Sequence, residues 1–269
     1  TGGAGTNTVL NNSEILTNME YYEGFYGLGK HPESHAHFGF ADYFVDPNNG
    51  AVCRISRDGL TILSDVKNQQ GNYLVRNTLY NAIKANSGNF VASFNQRRQS
   101  YEFNIGGIVI VWNEEKNQWF GARTYDAEMM GTAGIDLVTF NNGQAYLHEA
   151  NRLYNNFYNE QFSSELWVVG NQGLGNKLYL ALRTKSDTAC SAEISNDRGQ
   201  FSMLVEGNFS QREGVWYSAF KQDMNTKNVA YPIINGSPLR DIAILVKLKN
   251  SSLEKENIRY VEIKQVESK

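Results

Sequence analysis

Cysteine and proline are both scarce in this chain, with two and four copies among 269 residues. Cys53 and Cys190 stand far apart, which excludes a disulfide scaffold and a multi-cysteine zinc module. No apolar run approaches the ~18 residues that a membrane-crossing helix needs. Positive charge shows no excess: 25 Lys and Arg stand against 28 Asp and Glu, a net charge of -3. That balance argues against a surface built to hold nucleic-acid phosphates. No G-x-S-x-G elbow, P-loop or Gly-rich dinucleotide fingerprint occurs. The opening Thr1–Thr6 carries neither an initiator Met nor the apolar core of a signal peptide. Two readings of that opening stand: a trimmed product, or a longer precursor cut in a flexible Gly-rich linker.

Turn and strand formers, by contrast, are plentiful. The 24 Gly and 31 Asn tolerate positive φ, and the 15 Tyr and 14 Phe favour half-buried pleated surfaces. At 41% hydrophobic and 20% charged, the chain can bury a core. Its length fits one large domain or two ordinary ones. Alternating runs flank turn residues at Ala51–Ser56 and Leu60–Leu63 around Asp58-Gly59, and at Tyr101–Ile105 and Ile108–Trp112. The same pattern recurs at Asp136–Phe140 and Gln144–His148 around Asn142-Gly143. Apolar spacing at Val75, Leu79 and Ile83 predicts one short helix over Asn72–Lys84. Hairpins recurring every 40 to 50 residues suit the blades of a β-propeller, with a plain meander or sandwich as the alternative. Closer-spaced strands follow Tyr158: Glu165–Val169, Lys177–Arg183, Ser191–Ile194, Phe201–Val205, Gly214–Phe220, Asp241–Lys249 and Arg259–Lys264. Seven short strands in about a hundred residues read as a β-sandwich. The expectation is an all-β chain: residues 1–157 as propeller-like hairpins, part of a larger propeller, and 158–269 as a β-sandwich.

Signals for chemistry are weak. His31, His35 and His37 form an H-x3-H-x-H cluster in which His35 and His37, two apart on an extended segment, could share a metal. Only Glu33 and Asp42 stand nearby to complete a ligand set, and the alternative is a loop whose rings hydrogen-bond locally. Asp46–Gly50 resembles part of a calcium loop but lacks the distal bidentate Glu. Ser56–Thr61 misses the Asp-box of sialidase propellers by one position. A glycosidase needs two carboxylates about 5 to 10 Å apart, and nothing singles out a pair. Arg97-Arg98 reads as a solvated turn. The expectation is a chain with no enzymatic activity, no cofactor and no obligatory metal.

Aromatic side chains concentrate between Tyr21 and Phe44. Tyr21, Tyr22, Phe25, Tyr26, Phe38 and Phe40 are the candidates for a protein interface. Packing between sheets and stacking on sugars are the other uses of such rings.

Three segments carry a family resemblance. They are Phe157–Phe162 with Ser164-Glu165-Leu166; Arg212–Phe220 with Asp223–Val229 and Ile234–Arg240; and the hairpin Leu137–Glu149. Together, over about residues 100–269, they resemble the packaged-DNA stabilization proteins that form the muzzle of crAss-like phages. These motifs are structural rather than catalytic, and family members are much longer than this chain. The resemblance implies a virion structural protein at the distal end of a short phage tail. Copies in a cyclic ring would close the DNA channel there and attach other tail proteins. An N-terminal fragment of the same precursor is a further implied partner; packaged DNA is touched only indirectly, and no membrane is involved. A secreted carbohydrate-binding or glycoside-hydrolysing propeller is the alternative, and a host-recognition module a third.

Overall fold

A computed structural model describes residues 24–67, 71, 73, 75–170, 173–223 and 236–268. Tyr21, Tyr22 and the stretch 224–235 with Pro232 lie outside the described residues. The chain is all-β, with one α-helix and 22 strands among the described residues. It divides into two compact units, Thr1–Glu149 and Ala150–Lys269; the division anticipated from sequence falls at residue 157.

The first unit consists of three antiparallel meanders. The first sheet runs β1 (Ala36–Phe38), β2 (Ala41–Asp46), β3 (Ala51–Ser56) and β4 (Gly59–Ile62) in sequence order. Helix α1 (Arg76–Ala85) follows, with Leu79 and Ile83 buried. The second sheet is β5 (Val91–Asn95), β6 (Ser100–Ile105), β7 (Ile108–Asn113) and β8 (Gln118–Arg123). The third is β9 (Met129–Ala133), β10 (Asp136–Asn141) and β11 (Gln144–Leu147). Glycines fit the tips where the chain reverses. Gly59 has φ 103°, and Asn142 with Gly143 has φ 51° and 71°, the double left-handed pair of a type I′ hairpin.

One core joins the first two sheets and α1. Its centre is a train of rings. Phe38 stacks on Phe94 at 4.2 Å, Tyr43 lies 5.3 Å from both Phe94 and Tyr101, and Trp112 meets Trp119 at 5.2 Å. Such aromatic pairs add about 0.5–1.5 kcal/mol each beyond the area they bury. Tyr101 donates to Ser34 O at 2.6 Å and Trp119 Nε1 to Leu63 O at 3.0 Å, so both polar tips are satisfied. The opposite face of the first sheet carries a smaller cluster, Phe44, Ala51 and Cys53, covered by Tyr26 and Leu28.

The second unit opens with the short pair β12 (Asn156–Phe157) and β13 (Glu160–Gln161). It then forms β14 (Ser164–Gly170), β15 (Lys177–Ser186), β16 (Ser191–Ser195), β17 (Phe201–Leu204) and β18 (Ser210–Arg212). The remaining strands are β19 (Val215–Ala219), β20 (Arg240–Asp241), β21 (Ile244–Asn250) and β22 (Ile258–Glu267). One sheet has the order β14-β21-β16-β17; the other has β18-β19-β15-β20, with β22 also pairing β15. Strand β21 buries Ile244, Val246 and Leu248 at every second position. These side chains meet Tyr179 and Leu182 of β15 in one cluster that also holds Ile194 and Leu204. Period-2 alternation is what a strand with one solvated face requires.

Candidate functional site

Three surfaces of the first unit hold the side chains that could carry function. The first is the β1–β2 region with the aromatics that precede it. Phe25 is 100% exposed, and Phe40 is 71% exposed beneath the Arg57 guanidinium, 3.8 Å above its ring centre. Phe38 packs inward on Phe94, and Tyr26 covers the Phe44 cluster. His35 Nε2 and His37 Nδ1 each lie 2.9 Å from Asp42 Oδ1. Partial burial of Asp42 works the other way, but the two imidazole hydrogen bonds hold its carboxyl below the usual carboxylate range. His31 sits edge-on to Phe90. Among the described residues no three His, Cys, Asp or Glu side chains are grouped to hold a metal ion. The Asp46 carboxylate closes its own turn, accepting from the Asn48 and Asn49 N–H groups at 2.8 and 3.0 Å. It also takes the Gly27 N–H at 3.1 Å.

The second surface lies between the second and third sheets and is polar. Glu102 on β6 is fully buried; it accepts from Arg123 at 2.8 Å, Ser100 Oγ at 3.0 Å and Asn95 Nδ2 at 3.1 Å. Asn104 donates to Asp126 Oδ1 and Ala127 O. Thr139 Oγ1 and His148 Nε2 are 2.6 Å apart, and the Tyr125 ring lies 5.0 Å from the imidazole. Burial and then the Arg123 charge push the His148 pKa down to about 4, so the ring is neutral at pH 7. A cavity of about 330 Å³ adjoins this layer, lined by Arg98, Ser100, Asn113, Lys116, Phe120 and Arg123 among others. Three of its polar side chains are committed: Arg98 pairs with Glu149, Arg123 with Glu102, and Ser100 donates to Glu102; Lys116 lies over the Phe120 ring. Burial pushes the Cys53 thiol up to about 12 and raises Cys190 as well, so neither is a thiolate nucleophile at neutral pH.

The third surface is the far face of the β9–β11 sheet. Register places Met129, Phe140 and Ala145 in one row, and Gly131, Val138 and Leu147 in the next. Residues directly opposite in an antiparallel pair share a face, so this face is apolar in both rows. Met129 is 57% and Leu147 51% exposed, and a side chain added at Gly131 would meet nothing within 4 Å. The other face buries Met130, Leu137 and Thr139. The Asn142-Gly143 turn marks β10 and β11 as a hairpin from sequence alone, without saying which face stays open. The signal was available in Leu137-Val138-Thr139-Phe140, which is apolar at both parities except for one Thr.

No family model matches the sequence, and no curated protein matches it.

Proposed function

We propose that the chain is a non-enzymatic structural component of a short phage tail, at its distal ring or plug. In this reading the first unit is a partial β-propeller and the second a β-sandwich that attaches neighbouring tail proteins. One observation carries the architectural part. The first strands of the three successive sheets lie side by side, β1 against β5 and β5 against β9, as the inner strands of propeller blades do. Three sheets are fewer than the roughly four to eight blades of a closed propeller, and the stack ends on the open apolar face of β9–β11. Apolar surface in water is unfavourable by about 25 cal/mol per Å², so the stack is completed from outside these sheets. The tail assignment rests on the resemblance of the Leu137–Glu149 hairpin and the Arg212–Phe220 segment to the muzzle proteins. The ion pairs of Arg98 with Glu149 and of Arg123 with Glu102 beside the cavity suit a scaffold.

Antibodies against the chain, applied to purified phage particles, test the assignment. The expected result is labelling at the tail tip, with the chain present in several copies per particle. Absence of the chain from particles, or polysaccharide turnover that depends on a carboxylate of the chain, overturns it.

A further inference from the structure

We propose that the open face of β9–β11 docks against the same face of a second copy of this chain, related by a two-fold axis running along β10. The inference rests on the reading above that the stack is completed from outside these sheets, and it names what completes it.

The register supplies the argument. Rotation about an axis parallel to β10 exchanges the places of β9 and β11. Met129 then lies over Ala145 of the second copy, and Leu147 lies over Gly131 of the second copy, because each pair occupies the two flanks of one row. Phe140 and Val138, on the axis, meet their own counterparts. Every large flanking side chain therefore finds a small one, and Gly131 has open space above it to receive Leu147. Large-against-small interdigitation is how packed layers fill without voids. No charged residue stands in either row. Asp136, the next residue of β10 on this face, is at the margin and is held by Arg97.

Head-to-tail stacking is disfavoured by the other end of the unit. There the cluster of Phe44, Ala51 and Cys53 is already covered by Tyr26 and Leu28. That cover is pinned by the Gly27 N–H on Asp46 at 3.1 Å and by Asn49 Nδ2 on Phe25 O at 2.7 Å. A contact in which one patch meets itself is the isologous kind found in two-fold dimers. The face offers on the order of 400 Å² per copy, about half of a standard interface, which places the pairing among weak, concentration-dependent associations. Any ring of copies would then be assembled from pairs.

Sedimentation velocity of the purified chain over a roughly hundredfold concentration range, reaching ~200 μM, tests the proposal. The expected result is a monomer–dimer equilibrium whose midpoint rises about tenfold or more in Leu147→Glu and in Gly131→Leu. Both positions face solvent, and unchanged thermal unfolding of the two variants verifies that they fold. The double variant Gly131→Leu/Leu147→Gly reverses the large and small partners, and its midpoint returns to within about threefold of the parent. A parent that stays monomeric throughout overturns the pairing. So does a dimer whose midpoint neither single variant moves, or one that the double variant fails to restore. The tail assignment is read separately on particles, so a monomeric chain overturns the pairing alone.

Discussion

Acid should loosen the first unit through one side chain, His148. Its folded pKa of about 4 lies below its ordinary value of 6.5 because burial and the Arg123 charge disfavour the imidazolium. A depressed folded pKa means that the unfolded chain binds the proton more tightly. The resulting stability is fully present above pH 6.5 and is lost as pH falls from 6.5 towards 4. Each unit of difference corresponds to about 1.4 kcal/mol, so the full loss is about 3 kcal/mol and the loss by pH 5 about 2 kcal/mol. Charging the ring would also add a third cation beside Arg98 and Arg123, which share two carboxylates, Glu149 and Glu102. The comparison variant is His148→Gln, which does not titrate and keeps an amide within reach of Thr139. Urea unfolding of both proteins at pH 7.5 and at pH 5 gives the difference of differences, and so cancels carboxylates common to the two. The parent should lose about 2 kcal/mol more than the variant over that interval. Parallel pH profiles would refute the argument.

Two further predictions concern stability. Glu102→Ala should cost about 3–5 kcal/mol in urea unfolding, because it leaves Arg123 without its buried partner; Glu102→Gln should cost less, and a loss below about 1 kcal/mol for the alanine variant would contradict the network. Gly59→Val and Gly143→Val should each lower stability by about 1 kcal/mol or more, since both positions hold left-handed φ; variants that melt like the parent would remove the conformational argument.

Much of the strand order was legible because half-buried strands announce themselves. In β21 the buried Ile244, Val246 and Leu248 alternate with Leu245 and Lys247, and the period is plain. The overlooked strands β2 and β5 are buried along almost their whole length, in AspTyrPheVal and ValAlaSerPhe stretches. A strand covered on both sides has no solvated face, so a run this short lacks the charged alternation that marks a half-exposed strand. The helix expected over Asn72–Lys84 begins at Arg76, since its apolar positions fix the buried stripe but no capping side chain fixes its start. At the sites, residue type alone misled least where partners were close in sequence, as with His35, His37 and Asp42. The polar layer escaped notice because Glu102, Arg123 and His148 stand far apart in the chain and share no motif. Strand pairing within the β5–β8 sheet brings Glu102 and Arg123 together, and the stacking of the third sheet adds His148.

The β5–β8 sheet has unlike sides: rings on one, hydrogen-bonded polar groups on the other. The stack therefore has a grain, as layered minerals do, with two planes that yield to different forces. Cooling and urea weaken apolar contact and press on the plane of rings between the first and second sheets. Protonation of His148 presses on the plane that it shares with Thr139. Opening is thus expected to follow the agent that drives it, with the β9–β11 sheet parting from the second sheet first in acid.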